Sequence, residues 1–169
     1  MDGHFTRKDF RSAFQSLPKE GLEAAAQALV RAIDAAGDKR EEYWKNRIYP
    51  FWHDIWPKSR DLISNNLARI LSELSIASGD AFPSALVVLK DWLRPIDRAD
   101  QVIQKLCESP LCGKFPDEAL EFMHLITKDQ LWFPEEFDRC MVAIINASPN
   151  LADDVRFKRL RDFQRRRSI

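Results

Sequence analysis

Cys107, Cys112, His124 and Cys140 together offer the four ligands that a tetrahedral zinc ion takes. Their spacing does not fit, because structural zinc sites are built on close cysteine pairs. Cys140 also falls on the apolar stripe of a helix, and Cys107 lies in an apolar context. Buried free thiols are therefore expected, and no metal. His53 beside Asp54 suggests a histidine–carboxylate pair for proton transfer. Neighbours on a helix point about 100° apart, so an oriented pair is not expected. No serine-centred nucleophile elbow and no His-Glu-x-x-His pattern accompanies it. The five glycines stand apart, with no phosphate loop or dinucleotide fingerprint. Catalysis and cofactor binding are not expected of this chain.

Two segments could bind a macromolecule. Residues 43–57 hold Tyr43, Trp44, Tyr49, Trp52 and Trp56 among Lys45, Arg47 and His53. Such rings could anchor a partner protein or stack on bases, or they could pack as a core helix. The terminal stretch carries Arg156, Lys158, Arg159, Arg161, Arg165, Arg166 and Arg167. It could contact phosphates, and binding would then be salt-sensitive. Val155, Leu160 and Phe163 imply that one face packs, and Asp153, Asp154 and Asp162 dilute the charge. Trp44, Arg47, Trp52, Trp56, Arg159, Arg165, Arg166 and Arg167 are the candidate partner-binding residues.

The elements that must position them are helices. Three Phe-Pro pairs are each followed by apolar residues at offsets of four, seven and eleven: Phe82, Leu86, Leu89, Leu93; Phe115, Ala119, Phe122, Ile126; and Phe133, Phe137, Cys140, Ile144. Those offsets fall on one helix stripe, and proline suits a first turn. Upstream, residues 6–16 carry Phe10 and Phe14 four apart. Residues 20–36 place Leu22, Ala25, Leu29, Ala32 and Ala36 on one face, with Gly37 as a left-handed cap. Asp38 and Glu41 have capping-box spacing ahead of a helix through Trp44, Ile48, Phe51, Trp52 and Ile55. Pro50 predicts a kink or break there, and Pro57 the end. Residues 59–78 predict an amphipathic helix with Ile63, Leu67, Ile70, Leu71 and Leu74 as its stripe and Gly79 as its stop. Further helices are predicted at 97–108 and from Asn150 onward. No segment shows period-two alternation.

Hydrophobic residues make up 45% of the 169, which is enough for a continuous core, and 26 basic residues balance 26 acidic ones. Zero net charge gives no overall pull toward nucleic acid or anionic lipid. No apolar run approaches membrane-spanning length, and no signal-peptide order appears near the N-terminus. An odd, sparse set of cysteines suits a reducing cytoplasm. Short linkers join the helices and no low-complexity segment divides them, so residues 1–169 read as one domain.

The landmarks Ile-Tyr-Pro-Phe-Trp-His-Asp-Ile-Trp-Pro-Lys-Ser within residues 43–60, Leu-Cys-Gly-Lys-Phe-Pro-Asp-Glu-Ala-Leu at 111–120, Trp132-Phe-Pro and the arginine-rich end resemble an uncharacterised helical region of bacterial proteins. That region lies at the C-terminal end of large proteins, some with a sirtuin-like N-terminal domain linked to phage defence. The resemblance spans residues 40–167 and implies a non-catalytic module, with any NAD-consuming chemistry in another domain. No sirtuin residue maps onto this chain.

The expectation is an all-α domain of about eight or nine helices, either an irregular solenoid-like repeat or a multi-helix bundle. Its expected role is protein interaction, for sensing or assembly, with a protein partner or other domains of the same protein. Nucleic-acid binding through the basic terminal helix is the alternative.

Overall fold

The computed structural model describes residues 7–128 and 135–167. Among these the chain is all-α, a multi-helix bundle without strands. Its helices are α1 (Arg7–Gln15), α2 (Lys19–Ala35), α3 (Arg40–Tyr43), α4 (Tyr49–Asp54), α5 (Asn65–Ala77), α6 (Phe82–Leu89), α7 (Asp100–Glu108), α8 (Leu111–Lys114), α9 (Pro116–Ile126), α10 (Glu135–Ala147) and α11 (Val155–Arg167). A π-helical turn, Trp44–Ile48, joins α3 to α4. The buried apolar residues form one cluster running from Phe14 to Phe163.

The bundle is organised around α5, which packs against α2, α6 and α7. Ten consecutive-turn positions from Leu67 to Ala77 are buried, far more than one stripe. The expected amphipathic helix is thus an interior one. It begins at Asn65 rather than near residue 59, because Pro57 and a Ser59–Asp61 side-chain turn keep the preceding chain irregular. Its polar residues are partnered inside. The Ser72 hydroxyl donates to the Ala68 carbonyl (2.8 Å) and that of Ser75 to the Leu71 carbonyl (3.0 Å). Glu73 is 8% exposed and accepts from Arg69 of its own helix and from Lys105 of α7 (2.5 Å). Bonded back onto the helix in this way, the small serines let neighbouring helices come close.

The first turn of α5 is tied to α2. Ser64 is the N-cap, and its hydroxyl accepts from the Leu67 N–H (2.9 Å). The same hydroxyl donates to Glu23 Oε1 (2.5 Å), while Asn66 donates to Glu23 Oε2 (2.7 Å). The sequence reading missed this pairing, because its two halves lie far apart in the chain. It also set the inward face of α2 slightly off. Leu22, Ala26, Val30 and Ile33 are buried, so the bulkier Val30 and Ile33 turn inward instead of Ala32 and Ala36.

Gly37 does adopt the left-handed cap, at φ +54°. The Asp38–Glu41 capping box does not form. A 3-10 turn over Gly37–Lys39 runs straight into α3, which moves the N-cap to Lys39 and leaves no side-chain cap. The short α8 was also not foreseen; the Ser109-Pro110 pair ends α7 and starts it.

The Phe-Pro helices start as expected for the two whose starts are described. Pro83 and Pro116 lie in the first turns of α6 and α9. Phe82 packs on Phe115 and Phe122, with ring centroids 6.5 and 5.7 Å away, so one such helix docks on the next. Phe137, Cys140 and Ile144 of the third set are buried on α10, while Phe133 lies outside the described residues.

The hydrogen bond from Ser64 holds the Glu23 carboxyl below its ordinary value of 4.5, against the opposing effect of burial and with help from Asn66. A lowered carboxylate stabilises the fold above its unfolded-state pKa and loses that contribution as pH falls through the folded value. Glu23→Gln is therefore expected to lower unfolding free energy by about 1 kcal/mol at neutral pH. In urea titrations this deficit should shrink steadily as the pH is taken below 4.5.

Candidate interaction groove

The aromatic segment is held by one backbone irregularity. In an unbroken α-helix the ring of Pro50 would meet the carbonyl of Asn46. The chain neither breaks nor stops there. It widens into the π turn, and the Tyr49 N–H donates to the Trp44 carbonyl, five residues back. Pro50 then falls in the first turn of α4, where its missing N–H costs nothing.

This geometry carries Trp44, Ile48 and Trp52 into the core. Trp52 and Trp56 stack at 4.3 Å and 12°, and Trp92 meets both edge-on at 5.8 Å. Phe14 closes the cluster, with its ring 5.2 Å from Phe51. Trp44 and Trp56 are each 1% exposed and Trp52 is 8%. The three candidate indoles are thus packing residues in this structure. Arg47, from the same segment, is exposed.

What the segment offers to solvent is different. Tyr49 is 45% exposed and, across from it on α6, Val87 is 69% exposed. Between the π turn and α6 lies an open groove of about 610 Å³. Buried Trp44 and Ala81 contribute to its base together with half-buried Val88, and Tyr49, Ser84 and Val87 are its exposed rim. Glu41 and Lys45 also line it, both exposed. Sequence reasoning named Tyr49 among the rings of residues 43–57 but not among the candidate partner-binding residues, and it did not single out Val87. The available signal was an apolar residue lying off each stripe: Tyr49 off the set Trp44, Ile48, Trp52, and Val87 off the set Phe82, Leu86, Leu89.

His53 stacks on Tyr49, with ring centroids 6.3 Å apart, and its Nδ1 lies 3.2 Å from Asp54 Oδ1. The two neighbours do meet, unlike the expectation from helical geometry, because Asp54 is the last residue of α4 and the backbone departs from helix at Ile55. The His53 side chain is 70% exposed, so the pair sits in water.

A second cleft of about 430 Å³ lies over the C-terminal end of α5. Most of its charges are paired: Arg40 with Asp34 (3.3 Å), Lys105 with Glu73 (2.5 Å), and Asp80 with Lys114, which lies outside the lining (2.5 Å).

The basic helix α11 directs several of its cations inward or to local acids. Asp154 accepts from the Arg156 N–H (2.8 Å) at the helix start, and the Arg156 guanidinium also reaches Asp154 and Asp117. These bonds, led by the one from the Arg156 side chain, hold the Asp154 carboxyl at about 2. Arg159 donates to the carbonyls of His124 and Thr127, each at 3.1 Å, which caps the end of α9. It also lies 4.8 Å over the Phe163 ring. Burial, and then the positive charge of Arg159, hold the half-buried His124 below its ordinary pKa. Lys158 pairs with Asp153 at 3.2 Å. Arg165 is exposed, and the side chains of Arg166 and Arg167 lie outside the described residues.

The three cysteines are free and come together where α7, α8 and α10 meet. Hydrogen bonding to Cys112, then burial, then Cys107 push the Cys140 thiol far above the usual cysteine range. Among the described residues no group of three or more His, Cys, Asp or Glu is placed to hold a metal ion.

This all-α helical bundle matches no protein-family model, and no solved structure matches it. It is similar to an uncharacterised protein, y4cA, of Sinorhizobium fredii (strain NBRC 101917 / NGR234), with 26% identity over 156 residues. The match covers 82% of this chain and 12% of the length of that protein. No described helix is long and apolar enough to cross a membrane.

The contrast between Arg159 and Arg165 is testable. Arg159→Ala leaves two helix-end carbonyls without their donor and should lower stability by about 1–3 kcal/mol in thermal or urea unfolding. Arg165→Ala, at an exposed position, should change it by less than about 0.5 kcal/mol.

Proposed function

We propose that this chain is a non-catalytic interaction module of a larger bacterial protein, and that the groove between the π turn and α6 docks a segment of a partner protein. The observation that carries the reading is the groove's composition. Two exposed apolar rims, Tyr49 and Val87, face solvent over an apolar base. The occupant follows from charge complementarity. Exposed Glu41 and Lys45 are four residues apart along the groove and suit a segment with an apolar anchor flanked by one basic and one acidic residue.

The relative's length supports the modular part of this reading, since the chain corresponds to 12% of that protein. Any reaction is then the task of another domain, and the site of action is the cytoplasm. A role in phage defence rests on the resemblance of the tryptophan and proline landmarks alone. Nucleic acid is the less favoured partner, because Arg156, Lys158 and Arg159 of the basic helix already serve acids or helix-end carbonyls.

A displayed library of random peptides, selected on the wild-type chain and counter-selected on Val87→Asp, tests the docking site. The expected result is a family of peptides with one apolar anchor between opposite charges. Their affinity should fall at least about tenfold in Val87→Asp and in Tyr49→Ala, with melting temperature unchanged. Peptides that bind both variants as well as the wild type would overturn the assignment. So would a concentration-dependent dimer abolished by Val87→Asp, since a second copy would then occupy the groove.

A further inference from the structure

We infer that Cys107 and Cys140 form a thiol pair that a small disulfide, such as oxidised glutathione, converts into an intrachain bridge between α7 and α10. The placement is set by backbone. The Cys140 Sγ lies 3.9 Å from the carbonyl oxygen of Ile103. In the i→i−4 ladder of α7 that same carbonyl receives the N–H of Cys107. The two thiols therefore belong to one turn of the α7–α10 contact, although 33 residues separate them in the chain. Cys112, on α8, is the third member of the group.

Access divides the three. Cys112 and Cys140 are 3% and 1% exposed, whereas Cys107 is only partly buried. An external disulfide thus meets Cys107 first. The Cys107 thiolate attacks one sulfur, a Cys107–S–S–R bond forms, and R–S⁻ leaves and takes a proton. The Cys140 thiol then attacks the Cys107 sulfur, its proton passing to the second leaving thiolate. The Cys107–Cys140 bond forms and the second R–S⁻ departs. Two protein thiols are oxidised and one external disulfide is reduced to two thiols. The bridge closes a long loop that includes α8 and α9, so the oxidised form should melt at a higher temperature and return to the original on reduction.

The test uses the whole chain, incubated with oxidised glutathione under native conditions and quenched with acid. Intact mass is expected to fall by two hydrogens. Tryptic digestion should join the peptide of residues 106–114 to that of residues 140–156, and cleavage after Glu108 should place the link on Cys107. Cys140→Ala should stop at a stable glutathione adduct on Cys107, and Cys107→Ser should not react. A lasting glutathione adduct on the wild type without a cross-link would overturn the proposal. A Cys107–Cys112 link, or no reaction of the wild type, would also overturn it. If Cys140→Ala fails to fold, the peptide map of the wild type against Cys107→Ser still decides.

Discussion

Every polar group that α5 carries into the interior has to find its partner there, because water cannot reach it. The helix solves this in two ways. Its serines bond back onto the preceding turn, and Glu73 is neutralised by one cation from its own helix and one from α7. The second solution has a tertiary consequence. Without Lys105, Glu73 at 8% exposure would keep Arg69 as its one cation, so the ion pair favours the position of α7 that brings Lys105 to Glu73. The Ser64–Glu23 link plays the same part between α5 and α2. With both ends of α5 fixed to different neighbours, the remaining helices have little freedom in where to lie.

The surface features follow from that frame. Because Phe82, Ala85, Leu86 and Leu89 turn α6 toward the core, Val87 must point the other way. On the facing segment the π turn absorbs Pro50 while keeping Trp44, Ile48 and Trp52 inward, and Tyr49 is left outside. The groove is the gap between two elements whose inward faces are already committed. A further layer of the same logic explains α11. Arg156 and Arg159 are engaged with the start and end of α9, while Arg165 is exposed.

Much of the architecture was legible in the residues. The three Phe-Pro sets marked helices whose described stripe residues are buried, half-buried Phe115 excepted, and Gly37 and Gly79 marked left-handed stops at φ +54° and +59°. Period alone could not show that α5 is interior, since serine and glutamate read as solvent-facing until their partners are known. It also could not place Ser64 opposite Glu23 or Cys140 against the turn of Cys107, because sequence separation hides such pairs. The site was legible only in outline. Residues 43–57 border the groove, but the large indoles named there turn inward, while the exposed ring of that segment is the smaller Tyr49.

The claim that α5 is the organising element is tested most directly by native-state hydrogen exchange. The account predicts that the amides of residues 68–77 exchange only through global unfolding, with protection matching the full unfolding free energy, while α1 and α11 open locally at lower cost. Exchange of the α5 amides by local opening, with outer helices still protected, would contradict it.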